Sequence, residues 1–153
     1  MRRRDREVKN FDEIISIIDR ADTIRLGLNG DPYPYVVPLS FGYEAEGGKI
    51  NFYFHGASEG FKHELIKKNP LVCVEADIFH RYVKTDGGGT TDYESFIGFG
   101  DIIRVTGAEV EKGMDLIFAH CGLDGGNYDR AKLNDTAIYR ITAEKFTGKR
   151  RVV

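Results

Sequence analysis

Residues 49–70, KINFYFHGASEGFKHELIKKNP, combine three local patterns in one short stretch. Large apolar residues alternate with polar or aromatic ones over 50–55, which is the period of a half-buried strand. The small residues at 56–58 predict a turn, and a short helix is expected to follow with Ser58 as its N-cap residue. The helix should end just before Pro70, because proline cannot continue it.

A strand that turns directly into a helix predicts a site for an anion. The first backbone N–H groups of a helix have no partner within the helix, so they are available to a phosphate or a carboxylate. The side chains around this turn are basic or hydroxylic: His55, Ser58, Lys62, His63 and Lys67. We therefore interpret this stretch as a phosphate pocket.

Length, composition and charge limit the kind of protein. The chain has 153 residues, 41% of them hydrophobic, and a formal net charge of −2. We expect a single domain over 1–153, with the charged residues 1–9 as an N-terminal arm. The balanced charge gives no reason to expect nucleic acid or an anionic membrane as a partner. No apolar run reaches membrane-spanning length and the N-terminus lacks the apolar segment of a signal peptide, so we expect a cytoplasmic location.

A strand with one face of small residues is predicted over 33–43. Its partner strand is expected at 23–28, joined to it by a tight turn at Asn29-Gly30, the strongest short hairpin signal. Pro38 lies on the small-residue face and cannot donate a hydrogen bond to a neighbouring strand. We expect Pro38 to lie at a sheet edge or a bulge, with a flat ligand against the small-residue face.

The remaining segments predict a sheet with few crossover helices. Further strands are expected at 71–77 with an extension to 83, at 93–105 and at 136–142, helices at 10–22 and 109–121, loops at 84–92 and 122–135, and a basic tail at 146–151. Gly98 and Gly100 predict a bend inside one strand, as at the corner of a barrel. Long bent strands in hairpins favour a mostly β fold with flanking helices, specifically a six- to seven-stranded antiparallel barrel.

Five motifs that are spread over most of the chain occur together. They are RRRDRE at 2–7, PYVVPLSFGY at 34–43, FYFHGASEGFK at 52–62, KNP at 68–70 and YESFIGFG at 93–100. This combination resembles the FMN-binding split-barrel superfamily that includes pyridoxamine 5′-phosphate oxidase, and within it the nitroimidazole-resistance-type branch. The resemblance implies a split β-barrel of the FMN-binding type.

The resemblance also implies a homodimer with FMN at the subunit interface. Carried over residue by residue, it places along the isoalloxazine ring Val37, Pro38, Leu39 and Ser40. It also places three residues near the phosphate end or the flavin edge, namely His55, Ser58 and Lys62. Tyr93 and Ser95 would approach the cofactor from a neighbouring strand or from the partner subunit. Many relatives carry a cysteine shortly before the Tyr-x-Ser motif, whereas residues 87–92 here read GGGTTD, so the substrate side of the site is expected to differ.

The basic residues of the pocket leave alternatives open. Lys62 is either the cation that a flavin phosphate requires or a solvated helix lysine. His55 is either a structural histidine or a donor to the phosphate or to the reacting edge of the ring, where a titrating imidazole suits proton delivery, so it is the tentative catalytic residue. His63, His80 and His120 have no metal-ligand spacing, and we expect no metal site.

The expected function is that of an FMN-dependent oxidoreductase, nitroreductase-like or pyridoxamine-phosphate-oxidase-like. A flavin carries the redox chemistry itself, so the protein has only to position it, and the chain has no recognisable nucleophile triad or phosphate-binding loop motif. A reduced nicotinamide or another donor would supply electrons to a small organic acceptor. The alternative is a flavin- or haem-binding protein without turnover, and a weaker third possibility is a purely structural barrel module.

Overall fold

The computed structural model describes residues 2–124, 126, 128, 129, 131, 133 and 136–152. In chain order its elements are a 3₁₀ turn at Arg4–Arg6, β1 Glu7–Val8, α1 Phe11–Asp19, β2 Ile24–Leu28, β3 Tyr35–Leu39, β4 Gly42–Glu46, β5 Lys49–Ala57, α2 Phe61–Lys68, β6 Leu71–Thr85, β7 Gly88–Arg104, α3 Ala108–His120 and β8 Thr136–Arg151. The predicted loop at 122–135 lies partly outside the described residues.

All described strands belong to one antiparallel sheet with the order β3-β2-β6-β7-β8-β5-β4, and β1 pairs with β8. This confirms the predicted mostly β split barrel with flanking helices, with eight described strands in place of six or seven. The sheet is open, so β3 and β4 are edge strands at its two ends. On the outer side of an edge strand the backbone N–H and C=O groups are not paired with another described strand, so a ligand can reach them.

Strand β5 is buried on both of its faces. Phe54 belongs to the larger apolar cluster, to which α1 and α2 also contribute. Tyr53 points to the opposite face, because successive side chains alternate along a strand, and it packs in a second cluster with Met114 and Ile117 of α3. The strand is therefore more deeply enclosed than its sequence pattern predicts.

The first helix begins as the sequence predicts. The Asn10 side chain accepts a hydrogen bond from the backbone N–H of Glu13 at 3.1 Å, which satisfies one of the free donors at the helix start. Ile14, Ile17 and Ile18 are all buried against the sheet. Packing therefore holds this helix, since its β-branched residues have only modest helix propensity.

The prediction of a tight turn at Asn29-Gly30 is wrong. Strand β2 ends at Leu28 and β3 begins only at Tyr35, so a six-residue loop joins them. The Asn29 side-chain amide donates to the backbone carbonyl of Leu71 at 3.1 Å and ties the loop to β6. Pro32 and Pro34 lack an N–H and cannot begin a paired strand immediately after the turn.

The single strand expected at 33–43 is two strands, which lie at opposite ends of the sheet. The chain leaves β3 after Leu39, buries Phe41 completely and enters β4 at Gly42. A Cβ at Gly42 would collide with the backbone of Leu116 in α3, so close helix packing determines this break. The expectation for Pro38 is confirmed, because among the described strands β3 pairs only with β2.

The loop expected at 84–92 is instead the tip of a long hairpin. Strands β6 and β7 pair up to Thr85 opposite Gly88, so only residues 86–87 form the turn. The three consecutive glycines suggested a loop, but the β-branched Thr90 and Thr91 that follow them pair with Val83 and Tyr82 of β6. The basic tail at 146–151 is likewise part of β8, and the N-terminal arm is ordered by the pairing of β1 with that strand.

The bend predicted at Gly98 and Gly100 is confirmed as a register shift between Phe99 and Gly100 in the pairing of β7 with β8. A Cβ at Gly100 would collide with the backbone carbonyl of Thr142. Because backbone atoms cannot move aside as a side chain does, we expect Gly100→Ala to lower the free energy of unfolding by about 2 kcal/mol or more. Urea unfolding measures this loss.

The matched control for this variant is Gly87→Ala. An added Cβ at Gly87 meets no atom within 4 Å, so this variant should unfold at nearly the same urea concentration as the unchanged protein. Equal stability of the two variants would show that the close approach at Gly100 has no energetic role.

Candidate functional site

The predicted phosphate pocket lies where β5 passes into α2, and Lys62 is at its centre. The Lys62 Nζ is 5.1 Å from the centre of the Phe54 ring, within the range of a cation–π contact. A Cβ added to Gly56 would stand 3.0 Å from the same nitrogen. The absence of a side chain at Gly56 thus lets the ammonium group lie directly against the strand.

Lys62 is a half-buried cation that has no counter-charge within the described part of the chain. Among the residues that the structure describes, no carboxylate forms an ion pair with it, and burial alone lowers the pKa of its ammonium group. Removing a charge from water without pairing it is unfavourable. A bound anion would offset this cost, so the pocket is suited to a phosphate.

The start of α2 differs from the sequence prediction. Its N-cap residue is Gly60, at φ 123°, and no side chain caps the helix, so the expectation that Ser58 is the N-cap is wrong. Ser58 lies exposed in the short connection between β5 and α2. Its hydroxyl is consequently not engaged in capping and is available to a ligand at this position.

Behind Lys62 lies a buried pair that the sequence did not reveal. The His63 Nδ1 is 2.6 Å from the Tyr139 hydroxyl, and the Tyr139 ring stacks on Phe54 at 5.3 Å between ring centres. Burial, followed by the charges of Lys62, Arg104 and Lys67, lowers the pKa of His63. His63 is therefore neutral at neutral pH and acts as part of the pocket floor. In the sequence, the only indication that Tyr139 is buried was its alternation with apolar residues along the predicted last strand.

The predicted shelf for a flat ring adjoins the pocket. Tyr35 at the start of β3 packs edge-to-face on Phe61 of α2, with ring centres 5.3 Å apart. Along β3 the side chains of Val37 and Leu39 pack toward the core, whereas Pro38 is exposed. These core-facing residues can therefore offer only backbone groups to a ligand, while Pro38 and the exposed Ser40 just after the strand offer their side chains.

His55 is separated from Lys62 by the sheet itself. It follows Phe54 in β5 and is paired with Ile138, so its exposed side chain leaves the face opposite to Phe54 and on the side of Tyr53. The expectation that His55 and Lys62 surround one turn is thus not met within one chain. This placement argues against a contact between His55 and a phosphate bound at Lys62 of the same chain.

Tyr93 and Ser95 lie far from the pocket in the same chain. Tyr93 pairs with Arg151 at one end of β8, whereas Gly56 pairs with Ala137 at the other end. A strand of this length extends on the order of 50 Å at about 3.3 Å per residue. One cofactor can contact both groups only if they come from different subunits.

The Tyr93 hydroxyl has its own basic surroundings. Burial alone would raise its pKa, but hydrogen bonds from Lys149 and Arg6 outweigh burial and lower the pKa. The Lys149 Nζ also lies 5.3 Å from the centre of the Tyr93 ring. Tyr93 therefore links the N-terminal arm to β8.

Two buried carboxylates at the same end of the sheet were also missed. Asp92 and Glu94 are 1% and 4% exposed. Asp92 pairs with Arg81 and Arg151 at 3.0 and 2.7 Å. The only indication in the sequence was that two acidic residues occupy alternate positions of one predicted strand. The arginines opposite them can be identified only from the strand register.

Neither a metal centre nor a membrane-spanning helix is found in the part of the chain that the structure describes. No group of three or more His, Cys, Asp or Glu side chains is arranged to hold a metal ion there. No described helix combines the length and the apolar character that crossing a membrane requires.

The fold is a split β-barrel, and its basic pocket beside an exposed edge strand is a candidate site for an anionic ligand with a flat head. The sequence profile of the pyridoxamine 5′-phosphate oxidase family matches residues 10–150. The chain belongs to this family, which confirms the resemblance seen in the sequence. No curated protein sequence matches the chain significantly.

Solved structures with this fold include flavoproteins. A candidate 5-nitroimidazole antibiotic resistance protein from Bacteroides thetaiotaomicron is 27% identical, with a TM-score of 0.81 over 94% of this chain and 85% of that chain. The flavocytochrome Anf3 from Azotobacter vinelandii has a TM-score of 0.78 at 17% identity, over 100% of this chain and 72% of that one. A FAD-binding protein from Mesorhizobium loti has a TM-score of 0.67 at 19% identity, over 94% and 96% of the two chains. The last two likenesses show the fold alone.

Proposed function

We propose that this protein is an FMN-dependent oxidoreductase that reduces a small organic acceptor. The observation that carries the proposal is the half-buried Lys62 ammonium, which has no counter-charge among the described residues and lies against Gly56. Membership of the pyridoxamine 5′-phosphate oxidase family supports it. The likeness to a candidate nitroimidazole resistance protein supports a nitroaromatic or similar acceptor.

The residues present fit a flavin mononucleotide. Lys62 and the Ser58 hydroxyl would hold the phosphate, a group that requires a cation and hydrogen-bond donors. The free edge of β3, from Val37 to Ser40, would meet the polar edge of the ring with backbone groups and a hydroxyl. FMN, when bound, supplies the redox chemistry, accepting electrons from a donor such as reduced nicotinamide and releasing them to the acceptor.

The proposal includes a homodimer with the cofactor at the subunit interface. Large apolar side chains are exposed along β6 and β7, among them Phe79, Tyr82, Ile97 and Phe99. Light scattering after size exclusion should give twice the mass of one chain.

The absorption spectrum of the purified protein tests the cofactor. We expect flavin bands in the visible range, with FMN identified by mass spectrometry after release from the protein. A protein that is colourless as isolated and takes up no FMN on titration would end the proposal. A Soret band in place of the flavin bands would assign the pocket to haem.

The placement of His55 gives a second test. Because its side chain leaves β5 on the face opposite to Phe54 and Lys62, we expect His55→Gln to bind FMN with a Kd within about twofold of the unchanged protein. Fluorescence titration measures this. A large loss of FMN affinity would contradict this expectation and place His55 in contact with a bound flavin.

The same variant addresses the tentative catalytic role of His55. Retained FMN affinity together with a lower rate of acceptor reduction would support proton delivery by the imidazole. An unchanged rate would remove His55 from the reaction.

A flavin carrier without turnover is the second candidate function. The observation that favours it is that the histidine beside Lys62, His63, is buried against the Tyr139 hydroxyl and has a lowered pKa, so it is poorly placed to exchange protons with a substrate. Anaerobic mixing of the FMN-loaded protein with NADH or NADPH separates the two functions. Rapid bleaching followed by reoxidation with a nitroaromatic supports the enzyme, and persistent oxidised flavin supports the carrier.

A further inference from the structure

His63 is a buried histidine that is held between its own helix and two strands of the sheet. Only 4% of the residue is exposed. Its Nδ1 lies 2.6 Å from the Tyr139 hydroxyl of β8, and the two ring centres are 5.4 Å apart. The backbone of Ala57, at the end of β5, contributes a further hydrogen bond. These contacts fix the position of the imidazole.

The imidazole lies beside the ammonium group of the phosphate pocket. A Cβ added to Gly56 would stand 3.0 Å from the Lys62 Nζ and 3.9 Å from the His63 Cε1. The two side chains therefore meet above the same glycine. A phosphate that contacts Lys62 at this place is also a close neighbour of the imidazole.

The charged groups that face His63 are positive. On its own helix they are Lys62 and Lys67, and on β7 the group is Arg104. Arg104 pairs with Tyr139, and residues directly opposite each other in an antiparallel pair leave the same face of the sheet. From β8, the Tyr139 hydroxyl faces the imidazole as a neutral partner.

No carboxylate of the described residues offsets these cations at His63. The acids closest to it along the chain, Glu59 and Glu64, are exposed, and neither contributes to its pKa. Burial and the three cations lower the pKa of His63, although the backbone of Ala57 acts in the opposite direction. The imidazole is therefore neutral when the pocket holds no anion.

A bound phosphate would reverse this balance. Its two negative charges favour the imidazolium form of His63, because a nearby opposite charge stabilises the charged form of a group. Histidine titrates near neutral pH, so a moderate rise of its pKa is sufficient to protonate it there. The pocket would then present two cations, Lys62 and His63, to a dianion.

The Tyr139 hydroxyl can be a partner of His63 in both charge states. Burial raises the pKa of Tyr139, so the hydroxyl keeps its proton. A hydroxyl can donate to an unprotonated Nδ1 and accept from a protonated one. The Nδ1 of His63 thus keeps its hydrogen-bond partner when a proton arrives.

We propose that His63 is the proton-carrying residue of the phosphate site, so that binding of a phosphorylated flavin beside Lys62 brings one proton from solvent onto the imidazole. This inference rests on the proposed flavin site. The role is one of binding: His63 makes the site selective for a dianionic phosphate and passes no proton to a substrate.

Calorimetric titration counts the protons that accompany binding. FMN is titrated into flavin-free protein at pH 7 in two buffers with different heats of ionisation, and the difference between the two binding enthalpies gives the proton uptake. We expect uptake of about half a proton or more per FMN, and none for riboflavin, which lacks the phosphate.

The same linkage predicts how affinity changes with pH. Above pH 6.5 most of the FMN phosphate is already a dianion, so the histidine dominates the change. Because proton uptake becomes less favourable as pH rises, the Kd for FMN should increase about threefold or more from pH 6.5 to pH 8.5. The Kd for riboflavin should stay constant over this range.

Three variants assign the proton to its residue. His63→Gln keeps a polar side chain that cannot be protonated, so it should abolish both the uptake and the pH dependence. Tyr139→Phe removes the acceptor for a protonated Nδ1 and should reduce the uptake. His80→Gln is the matched control, since the His80 imidazole contacts Glu94 at 3.0 Å, away from the pocket, and this variant should keep the uptake unchanged.

The outcomes separate the inference from the proposed function. FMN binding without proton uptake, or equal uptake in His63→Gln, would overturn the inference and leave the flavin site intact. Equal uptake with riboflavin and FMN would also overturn it, because the proton would then belong to the ring. Binding of neither ligand would remove the proposed function itself. The proton count of the unchanged protein decides the first point, so the test does not depend on the folding of a variant.

Discussion

Replacing Lys62 by alanine is expected to raise the Kd for FMN by about ten- to a hundredfold. The ammonium group is half-buried, and burial lowers its pKa, with no carboxylate of the described residues paired to it. A hydrogen bond between charged groups in such a place contributes about 1.5–3 kcal/mol, and each 1.4 kcal/mol is a factor of about ten in affinity. Fluorescence titration of the flavin-free protein measures the change.

Riboflavin gives the internal control for this prediction, because it has the ring of FMN and lacks the phosphate. Lys62→Ala should leave the riboflavin Kd nearly unchanged, and the loss should be confined to FMN. Lys68→Ala, an exposed lysine on the same helix, should alter neither ligand. An equal loss for riboflavin and FMN would mean that Lys62 supports the fold of the pocket and does not bind the phosphate.

The second large effect is expected at Glu94, which is almost completely buried. Its carboxylate accepts hydrogen bonds from both terminal nitrogens of Arg20 at 2.9 Å and from the Arg150 Nε at 2.8 Å, and its Oε1 lies 3.0 Å from the His80 Nε2. The hydrogen bonds from Arg20 are the largest of the contributions that lower the Glu94 pKa to about 2. One carboxylate thus joins the end of α1 to β6, β7 and β8.

We expect Glu94→Gln to lower the free energy of unfolding at pH 7 by roughly 2–3 kcal/mol. The pKa of the Glu94 carboxyl falls from its usual 4.5 to about 2, and each pKa unit corresponds to about 1.4 kcal/mol. The partly exposed arginines reduce the effect through screening by solvent. The melting temperature should therefore fall by roughly 5–10 °C.

The same group predicts a pH dependence of stability. A carboxylate whose pKa is depressed by folding stabilises the folded state above its unfolded pKa, and this contribution disappears as pH falls from about 4.5 to about 2. The difference between the unchanged protein and Glu94→Gln should narrow over this window. Glu64→Gln, at an exposed glutamate of α2, is the control. A constant difference from pH 7 to pH 3 would show that Glu94 is not ionised in the folded protein.

Local chemistry made much of the fold predictable. The capping pattern of Asn10 and Glu13 and the break before Pro70 act within a few residues, and the structure has both. Pro38 could be assigned to an edge because a missing N–H excludes any neighbour on that side. Lys62 could be singled out because a basic residue follows a small-residue turn.

The errors arose where a local signal competed with distant packing. Asn29-Gly30 would favour a tight turn in isolation, but the Asn29 amide bonds to the carbonyl of Leu71. The glycines at 87–89 resemble a loop, yet the strands on either side pair and extend the hairpin through them. The partner in each case is remote in the chain, so no pattern within a few residues identifies it.

The strand and turn patterns of the sequence predicted a mostly β antiparallel barrel, and the resemblance of its motifs implied the split-barrel form. The same patterns singled out residues 49–70 as a candidate phosphate pocket and Lys62 as its cation. Alternation and turn chemistry act within a few residues, so they can be read along the chain. The folded structure was needed to place His55 on the face opposite to Lys62, Tyr93 at the far end of β8, and Arg104 on the same face as Phe54. Strand register and sheet order set these distances, because residues remote in the chain become neighbours only when the strands pair.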